Sequence, residues 1–154
     1  MFTGIVQDLA SVTSARNESN LIRIAVDLGS LTRNLELGAS VAVNGTCLTV
    51  TAVEQGNAYF DIIKETAVTT NLASLEVGQK VNVERSFKVG DEVGGHIISG
   101  HVTATAKLVD LKIDDHDRVL TFLIDAKWMN YILHKGYVGL DGASLTVSAV
   151  DKSE

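Results

Sequence analysis

The sequence predicts an all-β protein made of two related small antiparallel barrels with a few short helices, the second barrel incomplete. Three observations predict it. First, Asn44-Gly45-Thr46-Cys47-Leu48-Thr49-Val50-Thr51-Ala52-Val53 returns without a gap, 97 positions later, as Asp141-Gly142-Ala143-Ser144-Leu145-Thr146-Val147-Ser148-Ala149-Val150, with six of the ten pairs identical. A match of that length at one offset marks an internal duplication, and its period is too long for a solenoid and suits a small domain. Second, short segments rich in Val, Ile, Leu and Thr recur, several of them alternating apolar with polar at period two, as half-buried strands do. Third, Asn44-Gly45 and Asp141-Gly142, each flanked by β-type residues, read as type I′ hairpin turns, whose two central residues both need positive φ.

In chain order, Leu21-Ile22-Arg23-Ile24-Ala25-Val26 is the first strand read from this pattern, followed by a short helix near 31–35. Ser40-Val41-Ala42-Val43 runs into the Asn-Gly turn, and Cys47 to Val53 runs out of it. Ala58-Tyr59-Phe60-Asp61-Ile62 follows, then a helix near 65–72 and the strand Lys80-Val81-Asn82-Val83-Glu84. Phe87-Lys88-Val89-Gly90 then marks a boundary, giving domains 1–87 and 88–154. In the second half, 127–133 is a further helix candidate. At the repeat's offset Gly100-His101-Val102-Thr103 stands opposite Thr3-Gly4-Ile5-Val6. Repeat one continues past Val53 through a strand, a helix and another strand, whereas repeat two has only Asp151-Lys152-Ser153-Glu154 after Val150. A barrel without its last strands has open edges. The expectation is a piece of a longer protein, or else completion by another chain.

Composition narrows the function classes. At 154 residues the chain has enough length for real cores. A net charge of -6 and a pI near 5.1 argue against nucleic acid as the main partner, because phosphate binding needs clustered Lys and Arg. No apolar run approaches the length of a membrane-spanning helix, and the start lacks the pattern of a signal peptide. One cysteine excludes an internal disulfide and fits a reducing cytoplasm. The expectation is a soluble cytoplasmic domain pair that spans no membrane and does not take nucleic acid as its main partner.

Cys47 opens a strand after a tight turn; it is either a buried apolar thiol or, with a base nearby, a nucleophile. Its alignment with Ser144 places small polar groups at equivalent turn exits. Gly94-Gly95-His96-Ile97-Ile98-Ser99-Gly100-His101 is the most unusual segment. Its glycines allow close backbone approach, and its histidines are either structural or proton shuttles. Five residues apart on a regular strand, the two histidines face opposite sides, which disfavours a shared metal. Asp61 and Lys64-Glu65-Thr66 sit at a strand-to-helix junction, where they serve either a site or a helix cap. Ser40 and Lys135 flank the two hairpins and are open to both readings.

Together these segments resemble riboflavin synthase. Its Met-Phe-Thr-Gly-Ile-Val start stands at 1–6 and its Gly-Ala-Ser-Val-Ala-Val-Asn-Gly-x-Cys-Leu-Thr-Val block at 38–50. Lys-Glu-Thr stands at 64–66, Val-Asn-Val-Glu-Arg at 81–85, Gly-Gly-His-x-x-Ser-Gly-His at 94–101, and Lys-Gly-x-x-Gly-x-Asp-Gly-x-Ser-Leu-Thr-Val at 135–147. The resemblance implies tandem six-stranded Greek-key barrels assembled as a homotrimer. It also implies dismutation of two 6,7-dimethyl-8-ribityllumazine molecules to riboflavin and 5-amino-6-ribitylamino-pyrimidinedione, by four-carbon transfer and with no cofactor or metal. By resemblance His101, Cys47 and Ser40 are the catalytic candidates. Phe2, Gly4, Ile5, Val6, Cys47, Leu48, Thr49, Asp61, Ile62, Ile63, Lys64, Glu65 and Thr66 would line the first pocket. Gly100, His101, Val102, Lys135, Ser144, Leu145 and Thr146 would line the second. The resemblance also implies more chain after position 154, so that this chain on its own would bind a lumazine but turn it over weakly or not at all. The rival expectation is a non-catalytic lumazine- or flavin-carrying protein of the same fold.

Overall fold

Alternation along the strands decides which side of each faces the core. In β5 (Asn57–Ile63) Ala58, Phe60 and Ile62 are fully buried while Tyr59 and Asp61 are not. In β6 (Lys80–Arg85) Val81 and Val83 are the corresponding inward pair. The computed structural model describes residues 1–151 and divides into two compact units. One comprises Met1–Thr103 with Gly139–Ser144; the other comprises Ala104–Val138 and the chain from Leu145. The segment after position 87, where the second repeat was expected to begin, thus lies with the first unit as far as Thr103.

The first unit is a closed barrel of β1 (Asp8–Glu18), β2 (Leu21–Asp27), β3 (Ser40–Val43), β4 (Thr46–Glu54), β5 and β6, in the order β1-β2-β5-β4-β3-β6. Every neighbouring pair is antiparallel, and β6 returns to β1 with Asp8 opposite Val83. The jump from β2 to β5 makes it a Greek key. Register shifts at Val12/Ser14 in β1 and Val50/Ala52 in β4 mark bulges, which add the bend and twist that closure requires. Ile24, Val26, Val41, Val43, Phe60, Ile62 and Leu72 fill the interior with essentially no exposure. Burying each such side chain stabilises the fold by about 1.5–3 kcal/mol before chain entropy is counted.

The Asn44-Gly45 turn has φ of 46° and 77° and the Asp141-Gly142 turn 46° and 86°, so both occupy the positive-φ region expected of them. The helices are shorter than the sequence suggests. Residues 31–35 give a 3-10 turn at Gly29–Thr32. The 65–72 region splits into α1 (Lys64–Thr69) and a 3-10 turn at Asn71–Ser74. Thr70 causes the split: its backbone is extended, and its hydroxyl accepts the Leu72 N–H, so that Leu72 turns into the core. The 127–133 candidate is a 3-10 helix at Ala126–Tyr131. In the second unit β7 (Lys107–Ile113) pairs with β8 (Arg118–Leu123); β9 (Tyr137–Leu140) pairs with β10 (Ala143–Thr146) across the Asp141-Gly142 turn, which belongs to the first unit. Among the described residues these remain two separate two-stranded sheets, so the second barrel is partial.

Candidate functional site

The site is built on the outer face of β6. Because Val81 and Val83 point inward, Asn82 and Glu84 project outward, about 7 Å apart by the period of a strand. Glu84 is nevertheless only 3% exposed, because the N-terminal segment crosses it. Its Oε1 accepts the Thr3 N–H at 2.6 Å and the Thr3 hydroxyl at 2.7 Å, and its Oε2 accepts the Gly4 N–H at 3.0 Å. The other edge of that segment pairs with the glycine-rich stretch. Phe2 and Ile98 exchange backbone bonds at 2.8 and 2.9 Å, and the His96 N–H donates to the Thr3 carbonyl at 2.9 Å.

Two further strands of the chain join there. The Cys47 N–H at the start of β4 donates to the Gly100 carbonyl at 2.8 Å, and the Ser144 N–H in β10 donates to the Gly4 carbonyl at 2.9 Å. At their meeting point His96 Nδ1 lies 2.7 Å from Ser144 Oγ. Bare backbone makes this packing possible. Gly100 has φ of +78°, and a Cβ there would stand 2.8 Å from both the Cys47 Cβ and the Phe2 ring. At Gly95 an added Cβ would run into the Thr3 carbonyl oxygen.

The duplicated turns also meet. Asn44 Oδ1 accepts the Asn82 N–H at 2.9 Å, Asn82 Nδ2 donates to the Asp141 carbonyl at 2.9 Å, and Asn71 Nδ2 donates to Asp141 Oδ1 at 2.8 Å. This polar net holds Gly45 and Gly142 in close apposition, and so fixes where Ser144, two residues on, emerges.

Phe2, Gly4, Cys47, Gly100, Ser144 and His96 are therefore brought together. Phe2 is buried, whereas Ile5 beside them is half exposed and His101 faces solvent, its N–H bonded to Ser99 Oγ. Val6 and Val102 are half-buried. Ser40 and Thr49 face one another across β3 and β4. Leu48 and Ile62 point into the barrel core, which leaves only their backbones toward any outside ligand. Asp61 is held by Arg23 Nε at 2.8 Å, and Ile63, Lys64, Glu65 and Thr66 follow it at the end of β5 and in α1. Lys135, Leu145 and Thr146 belong to the second unit, where Lys135 has φ of 64° and donates its N–H to the Val147 carbonyl. The sequence shows neither partner of two residues here. His96 is open there to a structural or a functional reading, and the structure sets it against Ser144. Glu84 stands in the Val-Asn-Val-Glu-Arg block, with nothing in the sequence to name Thr3 and Gly4 as its donors.

A family model described as the lumazine binding domain matches residues 3–86 and 99–154. The riboflavin synthase of Escherichia coli (strain K12) is 46% identical over 152 residues, covering 97% of this chain and 71% of its own length. A crystal structure of LumP complexed with riboflavin matches with a TM-score of 0.90 at 25% identity, covering 99% of this chain and 83% of that one. LumP complexed with 6,7-dimethyl-8-(1'-D-ribityl) lumazine matches with a TM-score of 0.85 at 25% identity, covering 98% and 82%.

Proposed function

The chain belongs to the riboflavin synthase family of lumazine-binding domain proteins, and from that membership we propose that it dismutates 6,7-dimethyl-8-ribityllumazine. Two substrate molecules give riboflavin and 5-amino-6-ribitylamino-pyrimidinedione. The donor loses a four-carbon unit, the acceptor gains it, and the atoms balance without an outside oxidant or reductant.

The observation that carries this reading is the convergence of the N-terminal segment, the glycine-histidine stretch and the second copy of the repeat on one cluster, with His96 against Ser144. The C7 methyl of a lumazine is acidic because its carbanion delocalises into the ring, so modest proton transfer suffices. A hydroxyl bonded to an imidazole is a relay for that proton, and such assistance is worth about 10²–10⁴-fold. Cys47, Ser40 and His101 are the further proposed proton carriers or nucleophiles at the acceptor. Residues Gly4 to Val6, Thr49 and 61–66 would hold one lumazine, and Gly100, Val102, Lys135, Ser144 and Thr146 the other. Holding two reactants in register lowers a bimolecular barrier by roughly 7–11 kcal/mol. The two family matches, 3–86 and 99–154, support one lumazine-binding domain in each of 1–87 and 88–154. Homotrimeric assembly and a cytoplasmic location are part of the same proposal; light scattering of the purified chain checks the first and cell fractionation the second.

The test is incubation with 6,7-dimethyl-8-ribityllumazine alone. The expected result is riboflavin and the pyrimidinedione in equal amounts, even where turnover by this chain alone is weak. A ligand that stays bound without turnover would turn the assignment toward a carrier.

A further inference from the structure

We propose that Glu84 is the positioning residue of this site, its carboxylate setting where the His96–Ser144 pair stands. The proposal rests on the functional reading above and adds to it a residue that touches no substrate. Glu84 sits on the outer face of β6, is 3% exposed, and receives three donors: the Thr3 N–H, the Thr3 hydroxyl and the Gly4 N–H. Those two residues carry the acceptors for the pair. The Thr3 carbonyl takes the His96 N–H at 2.9 Å, and the Gly4 carbonyl takes the Ser144 N–H at 2.9 Å. One carboxylate therefore reaches each partner of the pair through a single residue and one hydrogen bond.

The chemistry asks for a carboxylate here. Three donors need acceptors on both oxygens, and an ionised carboxylate offers acceptors only. Glutamine keeps the size but presents one oxygen and an NH₂, which would oppose either the Thr3 or the Gly4 donor. Hydrogen bonds to an ionised acceptor are also about twice as strong as neutral ones. Closed-barrel stability needs none of this, since the inward face of β6 is carried by Val81 and Val83. Among the described residues, the hydrogen bonds to this buried carboxylate come from backbone and hydroxyl donors of the N-terminal segment. A buried charge satisfied by one segment is a device for fixing that segment in one place.

The test compares E84Q with the unmutated chain, and with I24A as a control that weakens the core in β2, which does not pair with β6. Without substrate, amide hydrogen exchange in E84Q is expected to rise at least tenfold at Thr3, Gly4 and Ser144, while Val26 and Phe60 stay within twofold. I24A is expected to show the opposite pattern. With substrate, kcat is expected to fall at least tenfold in E84Q, with lumazine affinity within threefold. Unchanged exchange at Ser144, or a loss of kcat and affinity that merely follows thermal stability as in I24A, overturns the proposal. Absence of riboflavin from the unmutated chain counts against the functional reading instead, and the exchange measurement still decides the role of Glu84.

Discussion

A missing side chain and a single hydroxyl set the tolerances of the site. Gly100 has no room for a methyl between Cys47 and Phe2 and holds φ of +78°. Gly100→Ala is therefore expected to lose about 1–2 kcal/mol from the left-handed backbone alone, with overpacking adding to it, read as a fall in thermal midpoint. Ser144→Ala removes the oxygen that His96 meets at 2.7 Å without creating a clash. Its riboflavin-forming rate is expected to drop about 10²–10⁴-fold, with lumazine titration nearly unchanged; an unaltered rate would remove this pair from the mechanism. Much of this was legible beforehand, because the glycines, Cys47, Ser144 and His101 announce themselves by motif. His96 and Glu84 stand in motifs too, but their roles do not show there, since what matters about them is a partner more than forty residues away.

At the level of elements, strands whose inward residues are large were legible and the others were not. β2 and β5 show Ile24, Val26, Phe60 and Ile62 at every second place. β1 buries only Ala10 and Val12 along eleven residues that otherwise read as a polar loop, and it is a strand because β2 and β6 flank it. The 3-10 helix Ala126–Tyr131 permits a pH test. Asp125 caps it, and its carboxyl is held below the ordinary aspartate range, first by the Lys127 backbone N–H and then by the Lys127 side chain. A folded value below the unfolded one means that the stabilisation is present above the unfolded value and is lost as pH falls through the folded one. In an NMR titration the Asp125 carboxyl should therefore titrate below the ordinary aspartate range. Asp125→Ala should abolish the acid-linked loosening of this turn.

Across the whole molecule the two units differ in how they hold themselves together. The barrel has a continuous apolar interior, whereas β7 exposes Leu108, Val109, Leu111 and Ile113 along a two-stranded ribbon. Lone ribbons are marginal in water. Amide exchange in β7 and β8 of this chain is expected to be about a hundredfold or more faster than in β2 and β5; equal protection would contradict the contrast. The duplicated ten residues made both units visible in the sequence, but not that the second turn would lie with the first barrel, which depends on Asn71 and Asn82. The ring order carries a further consequence, for synthesis on the ribosome. β1 pairs with β6, Asp8 opposite Val83, so the first strand made waits for the last. At about 5–20 residues per second that wait is roughly 4–15 s. Until then the β1–β2 hairpin carries an unpaired edge and Thr3 has no carboxylate to meet. The barrel is therefore sealed by one late event, and substitutions in β6 are the ones that would lengthen the nascent chain's exposure to aggregation.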